Sequence, residues 1–536
     1  MPPARPLRDR YRRQHAQDER SAEQWRTHAQ TDADRVWYSP EFRRLEGVTQ
    51  VVPPHEDYVF HDRLTHSVKV AQVAATLARL VLWRAEHDAA TRAELSDVSV
   101  EEWIDPDHCY VAGLAHDIGH PPFGHAGEHA LQDLTDDAEG LTKERSFEGN
   151  AQSMRIVASL SFRKPQHNGL NLTLRSLAAI AKYPWLRGGH PQHITKLGKK
   201  WSFYPEESGI LKELEREGFI HVEREPAGSL AATSDDGGRR DDADEPESEP
   251  AVAAVHRWPE AEIMDWADDI SYAVHDLEDF YRSGRIPLHR LTTALTRVPK
   301  RFAYSDSWNA TSFEFAGDDE EVKEAFKFAR TKMSKILDED GAPLAAVVPA
   351  AFAQLVAVLS DFMPTNRFDG SRDAHVNLQK FASEAISYLS AQTRVEAFEV
   401  DGTQRVRFRV NAEARLVAEF FKAINQYYVI ESSALATMQY GQNKALHRTV
   451  DALEVMAVNW VGDQSARRTL PARLGEYLEA NAEALQSRDA SDQSSIVTIA
   501  IIDYLCGLRD IQATILDSRL SGDRSSLSFS GAWLDA

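Results

Sequence analysis

Nowhere in this 536-residue sequence do apolar residues run on for the length of a membrane span. Cysteine is nearly absent. Cys109 and Cys506 are the only two, which excludes a disulfide-stapled scaffold and suits a reducing compartment. The first residues, MPPARPLRDRYRRQHAQDER, are basic and polar and lack the apolar stretch of a secretion signal, so a cytoplasmic location is expected. Positive charge is short as well: 61 Lys and Arg stand against 83 Asp and Glu, a net charge of −22. Such a surface discourages non-specific binding to a nucleic-acid backbone. It does not exclude a small anion, because a metal ion and a few local cations suffice to hold one. The global field is screened over about 8–10 Å at physiological salt.

Apolar residues make up 42% of the chain and aromatic residues 9%, enough for a large core. Most of the chain has helical periodicity. From His66, the positions Val70, Val73, Ala74, Leu77, Leu80 and Val81 repeat at i, i+3, i+4, so His66 lies on an inward face. A second helix is expected from Asp107 to Ile118, stopped at Gly119 and turned by Pro121–Pro122. Over 262–282, Met264, Asp268, Tyr272 and Asp276 recur every four residues and share one face. Carboxylates on a face that should be apolar call for a polar site. Residues 394–410 read as a β-hairpin about an Asp401–Gly402 turn, and 360–372 as a loop. The stretch 223–250 is rich in Asp, Glu, Gly, Ser and Pro and reads as a disordered acidic insertion.

The chemistry concentrates in GLAHDIGHPPFGH. His116 and Asp117 place a nitrogen and a carboxylate ligand side by side, which suits a divalent metal beside a phosphate. His66 upstream and Asp268 downstream complete a four-ligand set. Asp268 is preferred to Asp269 because it is in register with Tyr272 and Asp276, whereas Asp269 lies about 100° around the helix. A mixed nitrogen and oxygen set accepts Mn, Mg, Fe, Co, Ni or Zn alike. Read singly, His66 is equally a buried core histidine and Asp268 a structural carboxylate. His125 and Glu128 are three apart, close enough to interact on one helix. Arg63, three residues before His66, falls on the metal side and suits bidentate phosphate contact. Lys182 and Lys200 are further phosphate candidates, although either also reads as a solvated lysine, and sequence does not separate Lys200 from Lys199.

Four segments carry a family resemblance: SPEFRRLEGVTQV (39–51), RLTHSVKVAQVA (63–74), LAHDIGHPPFGHAGEHAL (114–131) and ADDISYAVHDLED (267–279). Fainter echoes are SFEGNAQSMRI, AKYPW and IDYLCGLRD. Together they resemble the dGTPase family of deoxynucleoside triphosphate triphosphohydrolases, within the HD-domain superfamily. One departure is Val48, where the family usually has Lys.

The resemblance implies a mostly α-helical fold: an HD-domain helical bundle core, a helical C-terminal region and a small β-hairpin. The expected division is an N-terminal arm (1–35), a first HD part (36–222), the insertion (223–255), a second HD part carrying Asp268 (256–355) and the C-terminal region (356–536). It implies a catalytic dyad of His125 and Glu128 with His120 beside the phosphates. It also implies a sugar pocket, with Gln50 and Asp276 on the 3′-hydroxyl and Tyr272 packed where a 2′-hydroxyl would go. The implied reaction is attack of metal-bound hydroxide on the α-phosphorus of dGTP or several deoxynucleoside triphosphates, giving deoxynucleoside and triphosphate. A homo-oligomer, often a hexamer, and a nucleotide or single-stranded DNA effector are further implications. Two other readings share the scaffold: an HD phosphohydrolase of monophosphates or cyclic nucleotides, and a nucleotide-sensing regulator. The first needs no sugar pocket, and an intact His125–Glu128 pair speaks against the second.

Overall fold

The helix Arg63–His87 and the helix Pro106–Ala115 touch at Gly113. A Cβ at that position would fall 2.4 Å from the Ala71 Cα, so the close crossing requires glycine. The structure is a computed structural model that describes residues 11–15, 25–53, 60–95, 98–138, 141–190, 199–224, 252–296, 319–337, 343–348, 363–462, 469–487 and 490–522. The chain is mostly α-helical, with three two-stranded antiparallel sheets among the described residues.

The elements that matter for the site are α1 (His28–Trp37), α2 (Arg63–His87), α3 (Pro106–Ala115), α4 (His125–Asp137), α5 (Gly149–Arg155), α6 (Leu174–Ile180), α7 (Pro259–Arg282) and α8 (Ala412–Asn425). Beyond them lie α9 (Ser433–Gly462), α10 (Ala490–Leu505) and α11 (Asp510–Leu520). Helix α7 crosses both α2 and α3, while α6 and α1 pack on α3 and α8 packs on α7. Residues 28–35 of the N-terminal segment 1–35 therefore belong to the bundle.

Each helix has local reasons to form where it does. Asp62 caps α2 by accepting from the Thr65 amide at 2.7 Å. Val70, Ala74, Leu77 and Val81 bury its apolar face. Pro106 and Pro259 sit in the first turns of α3 and α7, where a missing N–H costs nothing.

The second expected helix ends three residues early, at Ala115 rather than Ile118. The backbone groups that would continue it are taken elsewhere. Ser153 Oγ donates to the His116 carbonyl at 2.8 Å and accepts from the Gly119 amide at 3.0 Å. Arg44 donates to the Ile118 and His120 carbonyls at 3.0 and 2.7 Å. His116 and Asp117 thus stand on a tight turn.

The 394–410 hairpin forms as β3 (Thr393–Val400) and β4 (Thr403–Val410), with Asp401 and Gly402 both at positive φ as this tight turn requires. Residues 363–371 form the expected loop, and 360–362 lie outside the described residues. So do 225–251, most of the expected insertion. Its two flanks pair antiparallel, β1 (His221–Arg224) with β2 (Val252–His256).

The main core runs from Val36 to Leu435. A second apolar cluster joins Val450, Leu453, Ile501 and Leu505 to Leu131 and Phe147. No helix among the described residues is long and apolar enough to cross a membrane.

Candidate active site

Three helices bring one side chain each, of a kind that could hold a metal ion, to a common point. His66 comes from the first turn of α2, His116 from the end of α3 and Asp268 from the middle of α7. Their ligand atoms lie within 4.8 Å of one another. Asp268 Oδ1 is 3.1 Å from His66 Nε2 and 3.7 Å from His116 Nε2. Asp117 stands at the edge of this group, its Oδ1 3.5 Å from His116 Nε2. Asp269 turns away and pairs with Lys422 on α8.

The donor set fits a divalent cation. His116 donates its Nδ1 hydrogen to the Gly113 carbonyl at 2.8 Å, which leaves a lone pair on Nε2. That Nε2 is buried and has no hydrogen-bond partner. A buried imidazole lone pair facing two carboxylates is costly unless a cation sits between them. Burial lowers the pKa of His66 against the opposing pull of Asp268, which favours the neutral, ligating form. Burial works against ionised Asp117 and Asp268, yet their neighbours outweigh it. His116, His120 and Arg63 hold Asp117 well below the usual carboxylate range, and Lys182, His66 and His116 do so for Asp268.

His120 lies between two carboxylates, its Nδ1 3.1 Å from Asp117 Oδ1 and its Nε2 3.9 Å from Glu128 Oε2. Burial, joined by the Arg63 charge, pushes its pKa down to about 4. His125 opens α4, with its Nδ1 3.1 Å from Glu128 Oε2. The His125 side chain is 54% exposed, while Glu128 is buried, so His125 can meet solvent or substrate while Glu128 holds its ring. Burial opposes the Glu128 charge, but His125, Lys200 and His120 keep it ionised.

The cations assigned to phosphate are already engaged. Arg63 donates Nε to the Thr49 carbonyl at 3.0 Å and pairs with Asp117, leaving NH2 without a partner. Lys182 Nζ is 2.8 Å from Asp268 Oδ2 and 3.0 Å from Asp265. Lys200 Nζ is 2.9 Å from Glu128 Oε1 and 3.1 Å from Glu148 Oε1. Both lysines belong to the site and not to a solvated face; Lys199 is the exposed one of its pair.

Tyr272 and Asp276 follow Asp268 along one face of α7. Burial, then Asp279 and Asp268, pushes the Asp276 pKa well above the usual carboxylate range, and its Oδ2 has no partner. Burial, then Asp276 and Asp268, likewise raises the Tyr272 phenol. Gln50 is buried next to Thr49, with its Oε1 unpartnered. No hydrogen bond joins it to Tyr272 or Asp276 among the described residues.

Four contributors went unnoticed in the sequence. Glu148 and Asp265 are the second partners of the two lysines. Arg44 ties the turn of His116 to the Leu508 carbonyl at 2.9 Å. Asp510 accepts from the Phe123 amide at 2.7 Å and the Thr49 amide at 3.0 Å. Phe123 has φ of 68°, a left-handed conformation that costs roughly 1–2 kcal/mol for such a residue, and Asp510 holds it there. The segments 39–51, 146–156 and 502–510 that contain Arg44, Glu148 and Leu508 were visible as motifs, and their charged residues were the available signal.

Residues 63–181 match the HD domain. Over 510 residues the chain is 29% identical to a deoxyguanosinetriphosphate triphosphohydrolase-like protein of Streptomyces coelicolor, covering 93% of each. A protein of the same name from Corynebacterium efficiens is 28% identical over 488 residues, 88% of this chain and 89% of that one. A third, from Corynebacterium glutamicum, is 35% identical over 261 residues, 48% of this chain and 46% of its own length.

Proposed function

We propose that this chain, similar over 93% of its length to a deoxyguanosinetriphosphate triphosphohydrolase-like protein and matching the HD domain over residues 63–181, hydrolyses deoxynucleoside triphosphates to deoxynucleoside and intact triphosphate. The observation that carries the reading is the unpartnered Nε2 of His116, aimed into a cluster with His66 and Asp268 and flanked by Asp117. These four residues would hold a divalent cation, which when bound acts as a Lewis acid toward phosphate and water.

The chain's own residues account for the rest. Arg63 NH2, Lys182 and Lys200 receive phosphate oxygens, the lysines by exchanging one of their two carboxylate partners. Lys200 keeps Glu148 when it leaves Glu128, and Glu128 keeps the Gly149 amide at 3.3 Å on Oε1 and His125 at 3.1 Å on Oε2. Glu128 orients the His125 ring, and His125 moves a proton to the departing 5′-oxygen. His120 stays neutral and positions the Asp117 carboxylate. Gln50 and Asp276 offer polar groups to the sugar, and Tyr272 closes the space beside C2′.

The test is to incubate purified protein and Mn²⁺ or Mg²⁺ with each deoxynucleoside triphosphate and to separate the products. Deoxynucleoside plus triphosphate is expected. Release of orthophosphate or pyrophosphate, or hydrolysis of monophosphates alone, overturns the reading.

A further inference from the structure

The geometry points to a second divalent-cation site, made by His120, His125 and Glu128, that fills more weakly than the first and takes His125 out of proton transfer when occupied. It rests on the proposed function only for the role of His125; the site itself is argued from geometry.

One ligand atom from each of these three residues lies within 4.8 Å of the others. His120 is the informative member. Its ring faces a carboxylate at both ends, Asp117 Oδ1 at 3.1 Å from Nδ1 and Glu128 Oε2 at 3.9 Å from Nε2. A neutral imidazole has one hydrogen to give. Nδ1 has no aligned hydrogen-bond partner despite that close approach, and with the hydrogen on Nδ1 the Nε2 lone pair faces Glu128 Oε2. A separation of 3.9 Å is too long for a hydrogen bond. It suits a nitrogen and an oxygen that each lie about 2.0–2.2 Å from a shared ion. His125 Nδ1, 3.1 Å from the same oxygen, completes a facing set of two nitrogens and one oxygen.

Residue 149, a glycine, borders these atoms without a side chain. A Cβ there would lie 3.3 Å from Glu128 Oε1 and 3.5 Å from His120 Nε2.

Lys200 explains the weaker affinity. Its ammonium already neutralises Glu128 from the Oε1 side, and an ion on Oε2 must bind against that positive charge. Lys200 can withdraw to Glu148, its other partner at 3.1 Å, and this retreat accompanies filling. With Nδ1 of His125 bonded to a cation, the ring keeps its hydrogen on Nε2 and can accept no second proton. Excess metal then inhibits.

Binding of Mn²⁺ alone to the full chain tests this, counted by the electron paramagnetic resonance of free Mn²⁺, with the hydrolysis rate followed over the same concentrations. Wild type should bind one tight and one weak ion, and the rate should fall as the weak site fills. His125→Ala and Glu128→Gln should keep the tight ion and weaken the second at least tenfold. Lys200→Gln should tighten the second ion and shift inhibition to lower Mn²⁺. His116→Ala should lose the tight ion and keep the weak one, which separates this site from the first. A single ion per chain, or a weak ion indifferent to His125→Ala, Glu128→Gln and Lys200→Gln, overturns the site. Two ions with an undiminished rate overturn its inhibitory role.

Discussion

His116 Nδ1 lies 2.8 Å from the carbonyl oxygen of Gly113, three residues back on the same helix. This bond fixes the tautomer and turns Nε2 toward His66 and Asp268. The ring is therefore set for a metal before any metal arrives. His116→Ala and Asp117→Ala should each abolish the tightly bound ion and the activity, with the circular dichroism of the helices unchanged. Full occupancy of that site in the doubly substituted protein, measured by elemental analysis, removes these residues as ligands.

His125→Ala should have a different signature. The residue is exposed and stands apart from the three-ligand cluster, so the tight ion should remain while turnover drops by about 10²–10⁴, the usual range for lost proton transfer. If the variant instead loses the tight ion and keeps its rate per bound ion, His125 is a ligand of the first site.

Residues that recur at helical spacing or crowd into one motif were legible in the sequence. The burial of Val70, Ala74 and Leu77, the hairpin about Asp401–Gly402, and the meeting of His66 with Asp268 at 3.1 Å all follow from local periodicity and motif order. What was not legible depends on partners far apart in the chain. Arg44 reaches Leu508, and Thr49 reaches Asp510, and neither pairing leaves a periodic trace. The same holds for Lys200 with Glu148, so the lysines looked free in the sequence and are paired in the fold. The early end of α3 is likewise set by distant side chains, Ser153 and Arg44, and not by the helical propensity of residues 116–118.

The pairing of β1 with β2 predicts tolerance to deletion. Arg224 faces Val252 across the ladder, so the ends of the acidic segment are held together by backbone hydrogen bonds. Removing 226–250 and closing the gap with a short Asn-Gly turn should preserve folding and hydrolysis. Loss of the cooperative thermal transition in that variant would show that the segment is structural.

Arg44 should be among the costliest substitutions outside the metal cluster. It is buried, and burial lowers its pKa to about 10, yet its guanidinium serves three carbonyls. A hydrogen bond to a charged group is worth about 1.5–3 kcal/mol, so Arg44→Ala should destabilise by at least about 3 kcal/mol. Arg44→Lys should recover only part, because one ammonium cannot match the planar fork. Urea denaturation measures both, and a loss within experimental error for Arg44→Ala removes the clamp from this account.

Asp276 joins stability to sugar choice. Its carboxyl is buried and its pKa is raised by that burial and by the nearby charges of Asp279 and Asp268. The folded protein therefore holds this proton more tightly than the unfolded chain does. The stability drawn from it is fully present below the unfolded value of about 3.9 and is lost as pH rises through the folded value. In the presence of a chelator, Asp276→Asn should thus be more stable than wild type at neutral pH, and the gain should shrink as pH falls toward about 3.9. Asp276→Ala should lower hydrolysis of deoxynucleotides tenfold or more, as expected for losing a hydrogen bond worth roughly 1.5–3 kcal/mol. Tyr272→Ala should narrow the gap between deoxyribo- and ribonucleotides by opening space beside C2′. A site that gains stability when Asp276 is neutralised and loses activity when it is truncated is one in which the buried charge is kept for the ligand. Equal wild-type rates on dGTP, GTP and a 3′-deoxy analogue would remove the sugar pocket and leave the buried carboxyl without a function.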